Sequence, residues 1–168
     1  MIDAVNAARY LISLDPDFQY FNKKVITLNG RTFYEGNARL NKMLHLAQNT
    51  YIGRNFKKII DTDFYAYDNG AVVLDVQENY AFLLGTAQKV PPTTIPQEVA
   101  VFLKKIFNML KDAPIEELIE IDHEDPAWRE KHYSPYKSDL KMDSMKFLED
   151  YKDRYAAANF YLDNVVVE

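Results

Sequence analysis

NARLNKMLHLAQNTYIG, residues 37–53, is the stretch that decides the fold, because its apolar residues recur with the period of a helix. Spacings of three and four residues place such side chains on one helical face. The residues of this stripe are Leu40, Met43, Leu44, Ala47 and Tyr51. Asn37 can cap the helix and Gly53 can end it. We therefore predict a long helix over 37–53 whose apolar face packs against a core.

Further helices are predicted on both sides of this stretch. Residues 3–14 form one with Asp3 as its cap, and residues 91–110 form another, in which Thr94 and Gln97 resemble a capping box. Shorter helices are expected after three N-terminal signals, which are Pro114, Asp125 before Pro126, and Asp143.

Two stretches favour β structure. Residues 24–34, KVITLNGRTFY, are typical of a hairpin, since strand-forming residues flank Asn29-Gly30, a pair that suits a two-residue turn. Residues 63–80, DFYAYDNGAVVLDVQENY, begin with an aromatic strand and continue, after Asn69-Gly70, with the spacing of a helix. We expect the chain to change from strand to helix at Gly70, where a residue without Cβ adopts the required bend at little cost.

The aromatic strand over residues 64–67 divides its side chains between two faces. Phe64 and Ala66 point to one side, and Tyr65 and Tyr67 point to the other. We expect one pair to lie in the core and the other pair to belong to a recognition surface.

Together these segments predict a mainly α-helical, single compact domain over residues 1–168. It should have about six helices and a small β-hairpin or short-strand element, to which the tail NVVVE, residues 164–168, adds a candidate strand. Helices and strands do not alternate in the order of a βαβ fold, so a parallel sheet is not expected. A content of 48% hydrophobic and 27% charged residues is typical of a globular protein with a core.

The composition narrows the classes of function. The chain has no cysteine, which rules out disulfides, thiolate metal sites and a cysteine nucleophile and suits a reducing cytoplasm. It has no apolar run of about 18 residues, so no membrane segment is expected. Residues 1–20 lack the apolar core of a signal peptide. We therefore expect a cytoplasmic protein without membrane contact.

The three histidines do not form a familiar catalytic or metal-binding pattern. His45 lies between two leucines in the main helix and is expected to pack in the core. His123 is followed by Glu124 and Asp125, which leaves an enzyme using His123 with nearby carboxylates as an alternative. No G-x-S-x-G elbow or glycine-rich phosphate loop accompanies it. We predict no catalytic residue, no cofactor and no metal.

A DNA-binding regulator is the second alternative. Arg54, Lys57 and Lys58 form one small basic cluster, but the net charge of −5 opposes contact with a phosphate backbone. Nucleic acid is therefore not the expected partner.

Trp128 is the one tryptophan of the chain. An indole buries a large area, so core packing at the start of a helix is the first interpretation. The alternative is an anchor in a protein interface, where tryptophan is enriched.

Four segments resemble the Panacea antitoxin domain, the SocA-like family also described as phage-associated proteins. NARLNKMLHLAQ, residues 37–48, is similar to the signature N-x-K/R-L-Q-K-L-L-Y-x-A-Q of that family. DFYAYDNGAVVLDV, residues 63–76, resembles F-x-A-W-x-x-G-P-V-V-x-x-V, and ELIEIDHEDPAW, residues 117–128, resembles L-x-x-x-T-H-x-x-x-P-W. KMDSMKFLEDY, residues 141–151, is similar to the closing helix. The departures of this chain from the pattern include Asn41, Tyr67, Ala71 and Asp122.

The resemblance implies a non-enzymatic module that binds protein. Members of the family neutralise toxins of toxin–antitoxin pairs, and one relative delivers its toxin to a protease. The implied partner is a cognate toxin, with a protease as a further partner. The candidate protein-binding residues are Tyr65, Tyr67, Asn69, Gly70, His123 and Trp128.

Overall fold

The computed structural model describes residues 1–136 and 139–167, and within them the chain is mainly α-helical. These residues form nine α-helices, where about six were predicted, because the segment after Gly70 holds two short helices and Ala156–Asn164 forms a helix that was not predicted. The helices are α1 (Ala4–Ser13), α2 (Glu35–Asn55), α3 (Leu74–Glu78), α4 (Tyr80–Gly85), α5 (Gln97–Leu110), α6 (Ile115–His123), α7 (Pro126–His132), α8 (Leu148–Arg154) and α9 (Ala156–Asn164), with a 3-10 helix over Ser144–Phe147. No helix in this described part is long and apolar enough to cross a membrane.

Helix α2 lies at the centre of the molecule and is buried on nearly all sides. It packs against α1, α5, α6, α8 and α9. The predicted stripe is in the core, but Lys42, His45 and Asn49, on another face, are also buried. The helix is therefore buried on several faces, whereas the apolar stripe predicted burial on one face.

The predicted ends of α2 were wrong. The helix begins at Glu35, before Asn37, and it continues past Gly53 to Asn55, where Phe56 has a positive φ of 55°. Gly53 serves packing instead, since a Cβ there would lie 2.5 Å from the carbonyl oxygen of Tyr151. The missing side chain lets α8 approach the backbone of α2.

Six short strands form three two-stranded pairs among the described residues. Strands β1 (Ile2–Asp3) and β4 (Ile60–Asp61) pair in parallel, over two residues each. The sequence did not predict this short parallel pair. Strands β2 (Val25–Leu28) and β3 (Arg31–Tyr34) form the predicted hairpin. Its turn, Asn29-Gly30, has positive φ at both residues, as a type I′ turn requires.

The second hairpin corrects the prediction for residues 63–80. Strand β5 (Tyr65–Tyr67) pairs with β6 (Gly70–Val72) before α3 begins, so the chain returns as a strand where a helix was predicted. Asp68 and Asn69 form the loop, and Gly70 follows with a φ of +113°. A type I turn followed by a glycine with positive φ has this arrangement. Phe64 and Ala66 lie in the core, as predicted for one pair of the aromatic strand.

The capping predictions had mixed outcomes. Asp3 and Asp125 cap α1 and α7, each accepting a hydrogen bond from a backbone N–H at 2.9 Å. Gln97 begins α5 without a side-chain cap from Thr94, so the capping box was wrong. Asp143 precedes the 3-10 helix and makes no cap hydrogen bond.

The predicted tail strand is absent from the described residues. Helix α9 continues to Asn164, and residues 165–167 form no strand, while Glu168 lies outside the described residues.

Candidate functional site

A groove with a volume of about 640 Å³ lies between the two hairpins. Strand β3 borders one side through Arg31, Thr32 and Phe33, and residues 67–70 of the second hairpin border the other. The base is formed by the N-terminal half of α2, with Ala38, Asn41 and Lys42 in the lining. The groove therefore joins elements that are far apart in the sequence.

The tips of the two hairpins are joined by side-chain contacts, which we call the clasp (Leu28, Asn29, Arg31, Asp68 and Asn69). Asn29 Nδ2 donates to Asn69 Oδ1 at 2.7 Å, and Asn69 Nδ2 donates to the carbonyl oxygen of Leu28 at 3.2 Å. Arg31 Nη2 and Nε donate to Asp68 Oδ2 at 3.1 and 3.3 Å. The clasp sets the distance between the two sides of the groove.

The backbone of the β5–β6 hairpin is satisfied on both outer edges. On the β5 side, Ala66 N donates to Leu140 O and Met142 N donates to Phe64 O, both at 2.8 Å. On the β6 side, Ala71 N donates to Asp122 Oδ2 and Val73 N donates to Asn41 Oδ1, both at 2.9 Å. Buried side chains thus take the place of a neighbouring strand.

A buried charged cluster supports this hairpin from below. His45 Nδ1 lies 2.7 Å from Asp122 Oδ1, and His45 Nε2 lies 2.7 Å from Asp125 Oδ2, with all three side chains fully buried. Burial by itself lowers the pKa of His45, but attraction to Asp122 and hydrogen bonds to both carboxylates outweigh it and raise that pKa to about 9. His45 is therefore a protonated bridge near neutral pH.

Asp125 is the second charged member and the most heavily hydrogen-bonded one. Its oxygens accept bonds from Tyr151 Oη at 2.6 Å, Asn49 Nδ2 at 2.9 Å and Ala127 N at 2.9 Å, in addition to His45. Burial raises the pKa of Asp125, but its hydrogen bonds, with His45 first, lower it overall. One carboxylate thus links α2, α7 and α8.

Lys42 completes the cluster and reaches the groove. Its Nζ lies 3.5 Å from Asp122 Oδ2 and 3.4 Å from the carbonyl oxygen of Ala71. Burial lowers the pKa of Lys42, and the attraction of Asp122 offsets only part of this effect. Lys42 Nζ and the His45 ring thus both lie against Asp122, which connects the cluster to strand β6.

The geometry gives the cluster a structural role. Both ring nitrogens of His45 are occupied by carboxylates, and the ring has no exposed surface. A general base needs a nitrogen within hydrogen-bond reach of its substrate. His45 instead holds Asp122 in position, and Asp122 holds strand β6. His45 is buried as the sequence interpretation expected, but its two carboxylate partners were not predicted.

The four hairpin residues predicted to bind protein have different environments. Tyr67 is 36% exposed and lines the groove, whereas Tyr65, on the same face of β5, is half-buried and outside the lining. Asn69 is half-buried within the clasp. Gly70 is buried against Lys42 and Asp122. Direct contact with a partner remains a prediction for all four.

His123 and Trp128 support the hairpin tip from α6 and α7. Trp128 is 1% exposed and stacks between His123 and His132, with ring centroids 4.1 and 4.2 Å away. Its Nε1 donates to the carbonyl oxygen of Tyr67, and His123 Nε2 lies 2.9 Å from the carbonyl oxygen of Asp68. Trp128 therefore packs in the core. Contact of His123 or Trp128 with a partner remains a prediction.

The acidic residues after His123 do not converge on it. Asp125 faces His45 in the buried cluster, and Glu124 is exposed. No group of three or more histidine, cysteine, aspartate and glutamate side chains in the described residues could hold a metal ion. In the basic cluster proposed for DNA, Arg54 contacts the carboxylate of Asp163, which reduces its free charge.

Sequence analysis missed the buried cluster, although one signal was present. Lys42, His45 and Asn49 follow one another at spacings of three and four residues, so they share a helical face. A polar face of this composition is usually solvated, and nothing local shows that Asp122 and Asp125 cover it. The missing information was the long-range packing of α6 and α7 on α2.

A comparison with models of protein families matches the central part of the chain. The model of the family described as "Antitoxin SocA-like, Panacea domain" matches residues 40–129. This span contains the buried cluster and the β5–β6 hairpin but not the β2–β3 hairpin. No curated protein and no solved structure shows significant similarity to the chain.

Proposed function

This chain belongs to the SocA-like Panacea domain family, and on that premise we propose that it is the antitoxin of a toxin–antitoxin pair and neutralises a cognate toxin by binding it. The proposal includes a cytoplasmic location and no catalytic step. The observation that carries it is the family match over residues 40–129, more than half of the chain.

The groove is the binding surface in this proposal. It combines an exposed tyrosine, Tyr67, with polar groups of the clasp and a rigid base on α2. Tyrosine is enriched in protein interfaces because it contributes a large contact area with one polar atom. A rigid base lowers the entropy lost when a partner binds.

Two outcomes of binding fit an antitoxin. The chain masks the active surface of the toxin, or it delivers the bound toxin to a protease, as the resemblance to the family implies. They differ in the lifetime of the toxin, which stays constant under masking and shortens under delivery. A pulse-chase of the toxin with and without this chain separates them.

Co-expression tests the proposal itself. Each gene adjacent to the one encoding this chain is expressed alone and together with it. We expect one neighbour to arrest growth alone and growth to recover when this chain is present. Absence of toxicity from every neighbour, or toxicity that this chain does not relieve, would contradict the proposal.

A pair of tyrosine variants locates the surface. Tyr67→Ala should weaken toxin binding at least about tenfold, which corresponds to roughly 1.4 kcal/mol. Tyr161→Ala is the matched control, since Tyr161 is 47% exposed on α9 and lies outside the groove. Equal loss in both variants, at unchanged melting temperature, would place the interface elsewhere.

A further inference from the structure

Strand β3 has an outer edge with free backbone groups. In a two-residue hairpin the residues that flank the turn, here Leu28 and Arg31, exchange both hydrogen bonds, and paired and unpaired positions then alternate. The N–H of Thr32 therefore points away from β2. Within the described residues it donates no hydrogen bond, in contrast to the outer N–H groups of Ala66 and Ala71.

This edge borders the groove. Arg31, Thr32 and Phe33 are consecutive, so their side chains alternate between the two faces of the hairpin. All three nevertheless line the groove, and no residue of β2 does. The strand therefore presents its backbone edge to the groove, where an unpaired edge is a template for another strand.

Lys42, in the base of the groove, has unused hydrogen-bonding capacity. Lys42 Nζ can donate three hydrogen bonds and has two acceptors, at 3.4 and 3.5 Å. Charge-assisted hydrogen bonds between ammonium and carboxylate usually span about 2.7–2.9 Å. Asp122 is engaged more closely by His45 and by Ala71 N. A carboxylate that entered the groove would meet the Lys42 amine, whose side chain is 2% exposed and which has a hydrogen to donate.

We propose that the groove receives an extended segment of the partner as a third strand on β3, with an acidic side chain of that segment directed at Lys42. The identity of the partner as a toxin rests on the proposed function; the mode of binding rests on the free edge and on the unused donor of Lys42. Strand addition obtains affinity from main-chain hydrogen bonds and selectivity from alternate side chains. A volume of about 640 Å³ accommodates a few residues of such a segment.

A displayed library of random dodecapeptides, selected on the full chain, tests the mode of binding without a known toxin. We expect enriched peptides that alternate β-forming residues around an aspartate or glutamate. Thr32→Pro removes the N–H at the groove edge and should weaken their binding at least about tenfold. Thr27→Pro is the matched control, because Thr27 faces Thr32 across the hairpin and its N–H points from the other edge. Thr32→Val keeps the N–H and should bind as the wild type does.

A second measurement covers the case in which Thr32→Pro fails to fold. Hydrogen exchange on the wild-type chain should show that an enriched peptide protects the amide of Thr32 and leaves that of Thr27 unchanged. Replacing the acidic residue of the peptide by its amide should cost about tenfold in affinity for the wild type and nothing for Lys42→Met. Failure to enrich any peptide, or enriched peptides that bind Thr32→Pro and Thr27→Pro equally, would overturn the inference. A dimer of this chain that Thr32→Pro converts to a monomer would also overturn it, because the edge would then serve a second copy.

The toxin assay separates this inference from the proposed function. If the wild type and Thr32→Pro neutralise a toxic neighbour equally well, strand addition is wrong and the antitoxin role stands. If no neighbour is toxic, the antitoxin role fails and the peptide result still decides the mode of binding.

Discussion

The two hairpins on either side of the groove share an Asn-Gly pair in the sequence and differ in almost everything else. In β2–β3 the pair Asn29-Gly30 is the turn itself, and the strands are exposed or half-buried. In β5–β6 the pair straddles the end of the turn, and the return strand Gly70–Val72 is buried throughout. The same dipeptide therefore stands in an accessible hairpin and in one that belongs to the core.

The difference lies in how the backbone is satisfied. The inner hairpin, β5–β6, has its outer edges paired with Leu140, Met142, Asp122 and Asn41, so it offers no edge to a partner. The outer hairpin, β2–β3, is tied to it at the clasp and keeps a free edge. One hairpin thus has both backbone edges paired, and the other has a free edge. The family match covers the paired hairpin, β5–β6.

The largest expected effect comes from replacing a positive-φ glycine by alanine in each hairpin, Gly70 in β5–β6 and Gly30 in β2–β3. Gly70→Ala places a Cβ 2.5 Å from Asp122 Oδ2 and 2.7 Å from Lys42 Cε, at a φ of +113°. Strain together with disruption of the buried charges should cost on the order of 3–5 kcal/mol. Gly30→Ala has a φ of +74° and open space around the new Cβ, so about 1 kcal/mol is expected. Urea unfolding measures both, and equal losses would contradict the difference between the hairpins.

The stability that the buried cluster gives to β5–β6 should depend on pH, with a smaller effect than that of Gly70→Ala. The pKa of His45 is raised from 6.5 to about 9, so folding binds this proton. The resulting stability is fully present below pH 6.5 and is lost as the pH rises through 9. We expect the free energy of unfolding to fall by roughly 2–3 kcal/mol between these values.

His45→Gln is the control for the titration of other groups. This variant should be less stable than the wild type at pH 6.5 and should lack the pH-dependent fall, because it has no proton to release. Exchange of the Ala71 amide should accelerate with pH in the wild type beyond its intrinsic rate. A parallel fall in both proteins would assign the pH dependence to groups outside the buried cluster.

The smallest effect is expected at the clasp. Asn69→Ala removes the exposed hydrogen bond from Asn29 and leaves the positive-φ turn residue in place, so it should cost about 0.5–1 kcal/mol. In a double-mutant cycle with Asn29→Ala, we expect a coupling energy of about 0.5 kcal/mol. Amide exchange in β2–β3 should rise while that in β5–β6 is unchanged. Faster exchange in both hairpins would show that the clasp also supports the inner one.

The local parts of the fold were predictable because their signals are local. The turn Asn29-Gly30, the caps Asp3 and Asp125, and the apolar stripe of α2 each act within a few residues of chain, and the structure has all of them. The strand alternation that placed Phe64 and Ala66 in the core is local as well.

The incorrect predictions involve tertiary contacts. Gly53 resembled a helix end, but its missing Cβ serves the approach of Tyr151. Gly70 resembled an entry into a helix, but the side-chain oxygens of Asp122 and Asn41 accept backbone N–H groups there and make a second strand favourable. The burial of His45 was predictable, but its two carboxylate partners were not, because they are 77 and 80 residues away. The outward orientation of Tyr67 was predictable from strand alternation. The groove beside it was not, because residues of both hairpins form it.

Strand β5 is paired with residues 140–142, which lie beyond residue 129, where the family match ends. Shortening the protein to the matched span would therefore strip the inner hairpin of its outer neighbour and uncover Phe64 and Ala66. Such a fragment should form intermolecular β-aggregates when it is expressed. The residues beyond 129 should therefore stay attached when this protein is divided for biochemical work, because β5 and helix α2 both pack against them.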